Sequence, residues 1–168
     1  MQDAFDRFPN AKWLWWLDID IIIMTSSLDL HTHVLSDEGM RRNLRLDEML
    51  VGVGGGLLGF KSIDSIEPDS INFLLASDSW GMNVGSFLMR RSVWSDWVLE
   101  MWAGPLATQQ DWLFQESDGW THLFKSHKIV HDHTGHTNQR ALNGYPAHNG
   151  LGEHWEEGDL LVHFAGCG

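Results

Sequence analysis

The sequence is short of basic residues. It contains 11 Lys and Arg against 23 Asp and Glu, which gives a formal net charge of −12 at pH 7 and a pI near 5.0. Nucleic acids and anionic membrane surfaces attract proteins mainly through Lys and Arg. The composition therefore argues against nucleic acid as a partner. It is compatible with a site that holds a cation.

Cysteine and long hydrophobic runs are also scarce. Cys167 is the one cysteine of the chain, so no internal disulfide can form. The longest apolar run is interrupted by Asp18 and Asp20, and it is shorter than the ~20 residues that a membrane-spanning helix needs. The opening segment MQDAFDRFPN contains neither the basic region nor the apolar region of a signal peptide. We therefore predict neither a signal peptide nor a membrane span.

Hydrophobic residues make up 43% of the 168 residues, which is enough for one domain with a real core. Tryptophan is abundant, with 10 residues. The faces of tryptophan rings often stack on sugars, although large aromatic side chains also dominate protein cores. Most of these tryptophans are expected to be core residues.

The order of the elements predicts an α/β layered fold. Apolar runs predict strands, and amphipathic segments with polar starts predict helices. The predicted helices end near Pro9 or cover 92–104 and 116–127, and the predicted strands lie in 13–24, 71–77, 128–146 and 157–167. Ser92 or Ser95 is expected to cap the helix at 92–104, which ends at Gly104. The glycine-rich segment 51–60 is expected to form a turn, because no phosphate-binding Gly-Lys-Ser/Thr follows it.

The stretch WLWWLDIDIIIM, residues 13–24, sets two acids into an apolar run that reads as a buried strand. Residues i and i+2 of a strand point to the same side, so Asp18 and Asp20 are expected to project together. Two neighbouring carboxylates repel each other unless a proton or a cation lies between them. A hard divalent cation, Mn²⁺ or Mg²⁺, explains the pair economically. The same spacing also arises by chance and can cap a helix.

Four later segments extend this pattern: SDSWGMNVGSFLMRRS (77–92), ESDGWTHL (116–123), NQRALNGYP (138–146) and EEGDLLVHFAGC (156–167). Together with WLWWLDID they resemble, in the same order, the motifs of glycosyltransferase family 34. That family comprises the galactosyl- and mannosyltransferases of the fungal Golgi and the xylosyltransferases of plant xyloglucan synthesis. The first and last motifs are the most specific, and the resemblance covers most of residues 12–168.

The resemblance implies a GT-A-type, Rossmann-like transferase fold that binds Mn²⁺, with Mg²⁺ as the alternative ion. Asp18, Asp20 and His163 would be the metal ligands. Imidazole suits Mn²⁺ beside carboxylates, although a histidine on an apolar strand is, taken alone, more often a core residue. Glu116 and Asp118 would act near the transferred sugar as catalytic residues. Their alternative role is that of acids at a solvated helix start, where the helix dipole favours them.

The resemblance also implies a set of substrate-binding residues: Asn83, Gly85, Ser86, Ser117 and Gly166. Gly85 and Gly166 would allow the backbone to approach the substrate closely. A β-turn is the alternative role of the segment around Asn83 and Ser86. The chain departs from the family pattern at Ser117, where relatives have Gln, and at Asn138, where they have Pro.

The implied donor is a nucleotide sugar, UDP-galactose or GDP-mannose, and the implied acceptor is a glycan or glycoprotein in the Golgi lumen. Transfer would retain the anomeric configuration. Full members of the family carry a membrane anchor and a first βαβ portion before the acidic motif, which begins here at residue 18. Residues 1–168 are therefore expected to be a single unit, the C-terminal part of a GT-A catalytic domain without its N-terminal portion. The alternative is a non-catalytic sugar- or metal-binding subunit of a transferase complex.

Two other hypotheses have less support from the residues. Haloacid-dehalogenase-like phosphatases also place D-x-D after an apolar strand, but they have Thr or Val two positions after the second Asp, where this chain has Ile22. A zinc site is conceivable among His127, His131, His133 and His136. No cysteine pair accompanies these histidines, and their spacing fits no common zinc finger. Surface or hydrogen-bonding roles are expected for them.

Overall fold

The computed structural model describes residues 1–52, 56–147, 150 and 152–166. Cys167, Gly168 and the centre of the glycine-rich segment lie outside the described residues. The strands of the described chain are β1 Trp13–Leu17, β2 Ile21–Ile23, β3 Met49–Val51, β4 Leu57–Lys61, β5 Phe73–Asp78, β6 Gly81–Arg90, β7 Thr134–Thr137 and β8 Leu161–His163. The α-helices are α1 Gln2–Arg7, α2 Asp37–Asn43, α3 Val93–Trp102, α4 Pro105–Thr108, α5 Gln115–Ser126, α6 Lys128–Asp132 and α7 Gln139–Leu142. A π-helical turn, His31–Leu35, precedes α2.

The main sheet has four strands in the order β1-β6-β5-β7. β6 is antiparallel to both of its neighbours, whereas β5 and β7 run parallel. Two antiparallel pairs accompany this sheet, β2 with β8 and β3 with β4. The prediction of a mixed α/β fold is confirmed.

The core lies on both faces of the main sheet, and the alternation of side chains along β5 shows this most clearly. Phe73 and Leu75 belong to a cluster with aromatic residues of β6, α3 and α5, in which the rings of Phe73 and Trp120 stack at 3.8 Å. Leu74 points to the opposite cluster, which includes residues of α2 and α7. Because both faces of the sheet are covered, the sequence of β5 is a continuous apolar run. The predicted strand at 71–77 is confirmed.

The prediction of one buried strand over 13–24 is wrong. β1 ends at Leu17 and joins the main sheet, whereas β2 begins at Ile21 and pairs with β8. Ile19 lies in the turn between the two strands and is fully exposed. The apolar run is only half-buried because β1 lies at the sheet edge and β2 belongs to a two-stranded ribbon. The two acids therefore lie in a turn between two sheets.

The predicted helices are found close to their expected positions. α3 has Ser92 as its N-cap and ends before Gly104, and α5 covers most of the second predicted helix. The segment from Lys128 is partly different, because residues 128–132 form helix α6 and the strand begins only at Thr134. Residues KIVHD carry too short a pattern to distinguish the period of a helix from that of a strand. The predicted final strand is confirmed as the short, buried β8.

The glycine-rich segment 51–60 ends in two strands, β3 and β4, which form an antiparallel pair. Residues 53–55 of that segment lie outside the described part of the chain. Within the described residues, every helix is too short or too polar to span a bilayer.

The N-cap of α3 generates a stability prediction. The Ser92 hydroxyl accepts a hydrogen bond from the Ser95 backbone N–H at 3.1 Å, so Ser92→Ala should lower the free energy of unfolding by about 1 kcal/mol. Val93→Ala, at the next and largely exposed position, is the matched control and should change it by less than ~0.5 kcal/mol. Urea denaturation followed by tryptophan fluorescence measures both variants. Equal losses in the two would contradict the capping role.

Candidate functional site

A cavity of about 1130 Å³ opens where the ends of β1 and β8, strand β6 and the start of α5 meet. Nine residues singled out from the sequence line it: Asp18, Asp20, Asn83, Gly85, Glu116, Ser117, Asp118, His163 and Gly166. The fold therefore brings into one cavity residues that lie far apart in the sequence.

Three of these residues form a group with the geometry of a metal site. One ligand atom from each of Asp18, Asp20 and His163 lies within 4.8 Å of the other two. Asp20 Oδ1 and His163 Nε2 are 3.3 Å apart. Neighbouring ligands of an octahedral ion are separated by about 3 Å when each lies ~2.1 Å from the ion. These three side chains fit a small divalent cation.

Strand pairing positions this group, which we call the metal triad. In the β2–β8 pair, Ile21 lies opposite His163, and the backbone N–H of Phe164 donates to the carbonyl of Asp20 at 2.9 Å. The backbone N–H of Asp18 donates to the carbonyl of Gly85 in β6 at 2.8 Å. These backbone contacts fix the positions from which the ligand side chains project, without the need for a bound ion.

Hydrogen bonds from neighbouring side chains orient two of the ligands. The Asn143 side-chain oxygen lies 2.6 Å from Nδ1 of His163, and an amide oxygen can only accept, so Nδ1 carries the proton and Nε2 is a free ligand atom. The Trp16 indole N–H donates to Asp18 Oδ1 at 2.9 Å. Burial lowers the pKa of His163, and the carboxylates of Asp20 and Asp18 offset part of this effect. A neutral imidazole, which can bind a metal, is therefore favoured near pH 7.

The charged side chains of the cavity wall are predominantly acidic. Five carboxylates line it: Asp18, Asp20, Asp78, Glu116 and Asp118. Among the described lining residues, none is Lys or Arg. Because like charges repel strongly in a partly desolvated site, these walls cannot hold an anionic group such as a diphosphate unless a cation is bound as well.

Asp78 and Tyr145 lie beside the metal triad and were not predicted as site residues, whereas Asn83, which contacts both, was predicted. The Tyr145 hydroxyl donates to Asp78 Oδ2 at 2.5 Å, and the Asn83 side-chain N–H donates to the Tyr145 oxygen at 2.7 Å. Burial, followed by the Asp78 carboxylate, raises the pKa of Tyr145, which therefore stays protonated. The available signals were the acid at the end of β5 and the fact that Tyr145 is the single tyrosine of the chain.

The remaining predicted residues divide by position. Asn83 and Ser86 lie in strand β6, so the β-turn alternative is wrong. The Ser86 hydroxyl is buried and accepts from the Trp15 indole at 3.1 Å, and Ser86 is absent from the cavity wall. Ser117 and Asp118 are tied at the start of α5 by the backbone N–H groups of Val84 (3.4 Å) and Phe114 (3.0 Å). Gly166 has φ of +74°, a left-handed conformation that favours glycine.

Three histidines of the predicted cluster take part in hydrogen bonds. His131 contacts the Lys61 carbonyl and Asp132, His133 contacts Ser70 and Asn72, and buried His136 contacts Ser77. Burial, followed by the positive charges of nearby residues, lowers the pKa of His136 to about 3. In the described part of the chain, the metal triad is the one group of His, Cys, Asp and Glu with metal-binding geometry.

Comparison with known proteins assigns the chain to a family. The model of the galactosyl transferase GMA12/MNN10 family matches residues 1–168, the whole chain. The chain belongs to this family. The resemblance predicted from the sequence motifs is thereby confirmed.

Three curated relatives cover 99% of the chain. Two are proteins of Schizosaccharomyces pombe: the uncharacterized alpha-1,2-galactosyltransferase C1289.13c, 38% identical, and an alpha-1,2-galactosyltransferase, 30% identical. The third is the probable alpha-1,6-mannosyltransferase MNN10 of Saccharomyces cerevisiae, 29% identical. The chain spans only 44% of the length of each of these relatives.

A solved structure confirms the fold. A glycosyltransferase involved in the glycosylation of the major capsid of PBCV-1 superposes with a TM-score of 0.60 over 99% of this chain and 66% of that one. Sequence identity is 14%, so the likeness concerns the fold alone. The predicted glycosyltransferase fold of the GT-A type is therefore confirmed.

Gly85 is a tightly packed position in the site of this family member. A Cβ atom built on Gly85 would lie 2.4 Å from His163 Cε1, 2.9 Å from Asn83 Oδ1 and 3.0 Å from Asp18 Oδ2. His163 cannot easily move away, because it is buried and bonded to Asn143. The absence of a side chain at Gly85 therefore allows the carboxylate and the imidazole to approach each other.

Gly85→Ala should destabilise the chain by about 1–3 kcal/mol through overpacking and should displace the His163 ring. Thermal unfolding measures the first effect, and the ¹⁵N chemical shifts of the imidazole measure the second. Gly56→Ala is the matched control, because its Cβ would meet no atom within 4 Å. Unchanged His163 signals in Gly85→Ala would contradict the packing described here.

Proposed function

We propose that this chain carries the metal and acceptor side of a hexosyltransferase site, which moves galactose or mannose from UDP-galactose or GDP-mannose to a glycan. The main observation in support is the metal triad on the wall of an acidic cavity. Membership of a family whose relatives are named galactosyl- and mannosyltransferases supports the choice of sugar. On this proposal, residues 1–168 form a single unit.

The metal triad fits Mn²⁺, with Mg²⁺ as the alternative, because it combines two carboxylates with one imidazole. The ion, when bound, supplies positive charge that neutralises the donor diphosphate and the charge that grows on it as the leaving group. Asp18 and Asp20 compensate the charge of the ion, and His163 contributes its neutral Nε2. Asn143 and Trp16 keep these ligands oriented, so little reorganisation is needed when the ion binds.

The other carboxylates of the wall are suited to the sugars. Glu116 and Asp118, at the start of α5, can accept hydrogen bonds from sugar hydroxyls and stabilise positive charge at the anomeric carbon. Asp78 can do the same, and Tyr145 and Asn83 hold it in place. Gly166 leaves space for the substrate along the backbone, whereas the space at Gly85 is filled by the metal triad and Asn83. Ser117 replaces a family Gln. Ser86 supports Trp15 rather than the substrate.

The finer features of the reaction follow from the family. UDP-galactose and GDP-mannose carry their sugars in the α configuration, and the relatives are named alpha-transferases, so transfer with retention is proposed. The Golgi lumen is the proposed location, and a glycan or glycoprotein is the proposed acceptor. The formal charge of −12 weighs against a nucleic-acid partner.

A second candidate is a non-catalytic subunit that binds sugar or metal within a transferase complex. It uses the same metal triad and the same acidic cavity for binding alone. Both candidates require the metal triad, whereas only the first requires turnover of a donor.

Manganese binding tests what the two candidates share. Mn²⁺ should raise the melting temperature of the wild-type chain, because an ion that binds only the folded state stabilises it. Asp20→Ala should abolish this shift, whereas Asp64→Ala, an exposed acid outside the cavity, should retain it. Differential scanning fluorimetry measures all three. An equal shift in Asp20→Ala would mean that these acids do not hold the ion.

Donor turnover separates the two candidates. The wild-type chain with Mn²⁺ should bind UDP or GDP and slowly hydrolyse UDP-galactose or GDP-mannose, and Glu116→Gln should be slower by about 10²–10⁴-fold if Glu116 stabilises the transition state. Release of nucleoside diphosphate, measured by chromatography, reports the rate. A chain that binds Mn²⁺ but turns over neither donor would favour the non-catalytic subunit.

A further inference from the structure

Three aromatic side chains at the cavity wall are left accessible to solvent: Trp16, Trp80 and Phe114. Trp16 donates to Asp18 of the metal triad, whereas the other two form a pair of their own. Trp80 lies at the turn between β5 and β6, and Phe114 directly precedes α5. Each is 42% exposed and lines the cavity, and their rings lie edge to face with centroids 6.0 Å apart. The fold buries comparably large aromatics such as Phe73 and Trp120 completely. This exposed pair is therefore a candidate for ligand contact.

The backbone of each aromatic residue is tied to a carboxylate of the cavity wall. The N–H of Trp80 donates to Asp78 Oδ1 at 2.6 Å, and the N–H of Phe114 donates to Asp118 Oδ2 at 3.0 Å. Asp78 is in turn held by Tyr145 and Asn83. These bonds fix the positions from which the two rings project, so the pair is a preorganised surface.

The surroundings of the pair match the chemistry of a pyranose ring. Such a ring has a face of C–H groups and a periphery of hydroxyl donors. The C–H face gains from leaving water against an aromatic ring, whose face is negative. The carboxylates of Asp78, Glu116 and Asp118 provide acceptors for the hydroxyls. The same carboxylates repel a diphosphate, which needs the cation of the metal triad.

We propose that Trp80 and Phe114 form a stacking platform for a pyranose ring of the acceptor glycan. This inference rests on the proposed function and adds to it the place of the acceptor. The platform and the metal triad line the same cavity, so the acceptor ring enters beside Asp78 and Glu116 while the donor diphosphate is held at the triad. A nucleobase of the donor is the other flat group that could stack here, and the experiment separates the two.

Saturation-transfer difference NMR of the 168-residue chain with methyl α-D-mannopyranoside and methyl α-D-galactopyranoside, without metal or nucleotide, tests the platform directly. Wild type should transfer saturation to the C–H protons of at least one glycoside. Trp80→Ala should weaken binding about tenfold, the equivalent of ~1.4 kcal/mol, and Trp80→Phe should restore part of it. Trp97→Ala is the matched control, because Trp97 is 39% exposed but lies on α3 outside the cavity.

Calorimetric titration with UDP and with GDP in the presence of Mn²⁺ completes the test. The Kd of the nucleotide should stay within about twofold in Trp80→Ala. Equal glycoside binding by wild type and Trp80→Ala, or none by wild type, would overturn the platform. A selective loss of nucleotide affinity in Trp80→Ala would assign the pair to the base and would equally overturn it. Absence of nucleotide and Mn²⁺ binding by wild type would instead overturn the proposed function, because the glycoside titration contains neither.

Discussion

The site depends on the register with which β2 pairs with β8. This pairing places Ile21 opposite His163 and brings the backbone of Asp20 against that of Phe164. Side chains alternate along a strand, so a slip of one residue would turn His163 away from the acids and out of the cavity. Gly85 in β6 then leaves just enough room for the carboxylate and the imidazole to approach. The β2–β8 pairing and the absence of a side chain at Gly85 together position the three residues of the metal triad.

The second constraint is electrostatic. Five carboxylates on the wall of one cavity, with no Lys or Arg among its described lining residues, create a strongly negative site. Such a site costs stability unless its charges are used. On the proposed function, a divalent cation would neutralise two of the acids and allow the site to accept an anionic donor, while the other acids would accept hydrogen bonds from sugar hydroxyls. One charge distribution is thus compatible with the proposed cation, diphosphate and sugars together.

The chemistry of the site is easier to predict from the sequence than its geometry. Asp18 and Asp20 were selected because two neighbouring carboxylates favour a cation, and they do lie together at the cavity, but in a turn rather than along a strand. That break could not be predicted, because it depends on β2 pairing with residues about 140 positions later. His163 could be predicted as a site residue only from the resemblance of its motif to that of the family. Asp78 and Tyr145 were missed because their hydrogen bond joins residues 67 positions apart, and no local pattern records such a contact.

The central claim is that the metal triad holds a divalent cation, and diffraction tests it most directly. Crystals of the chain grown with MnCl₂ would be measured on both sides of the manganese absorption edge. The account predicts an anomalous peak within bonding distance of Nε2 of His163 and of one carboxylate oxygen from each of Asp18 and Asp20. The same three residues without such a peak, in crystals that show ordered manganese elsewhere, would contradict it.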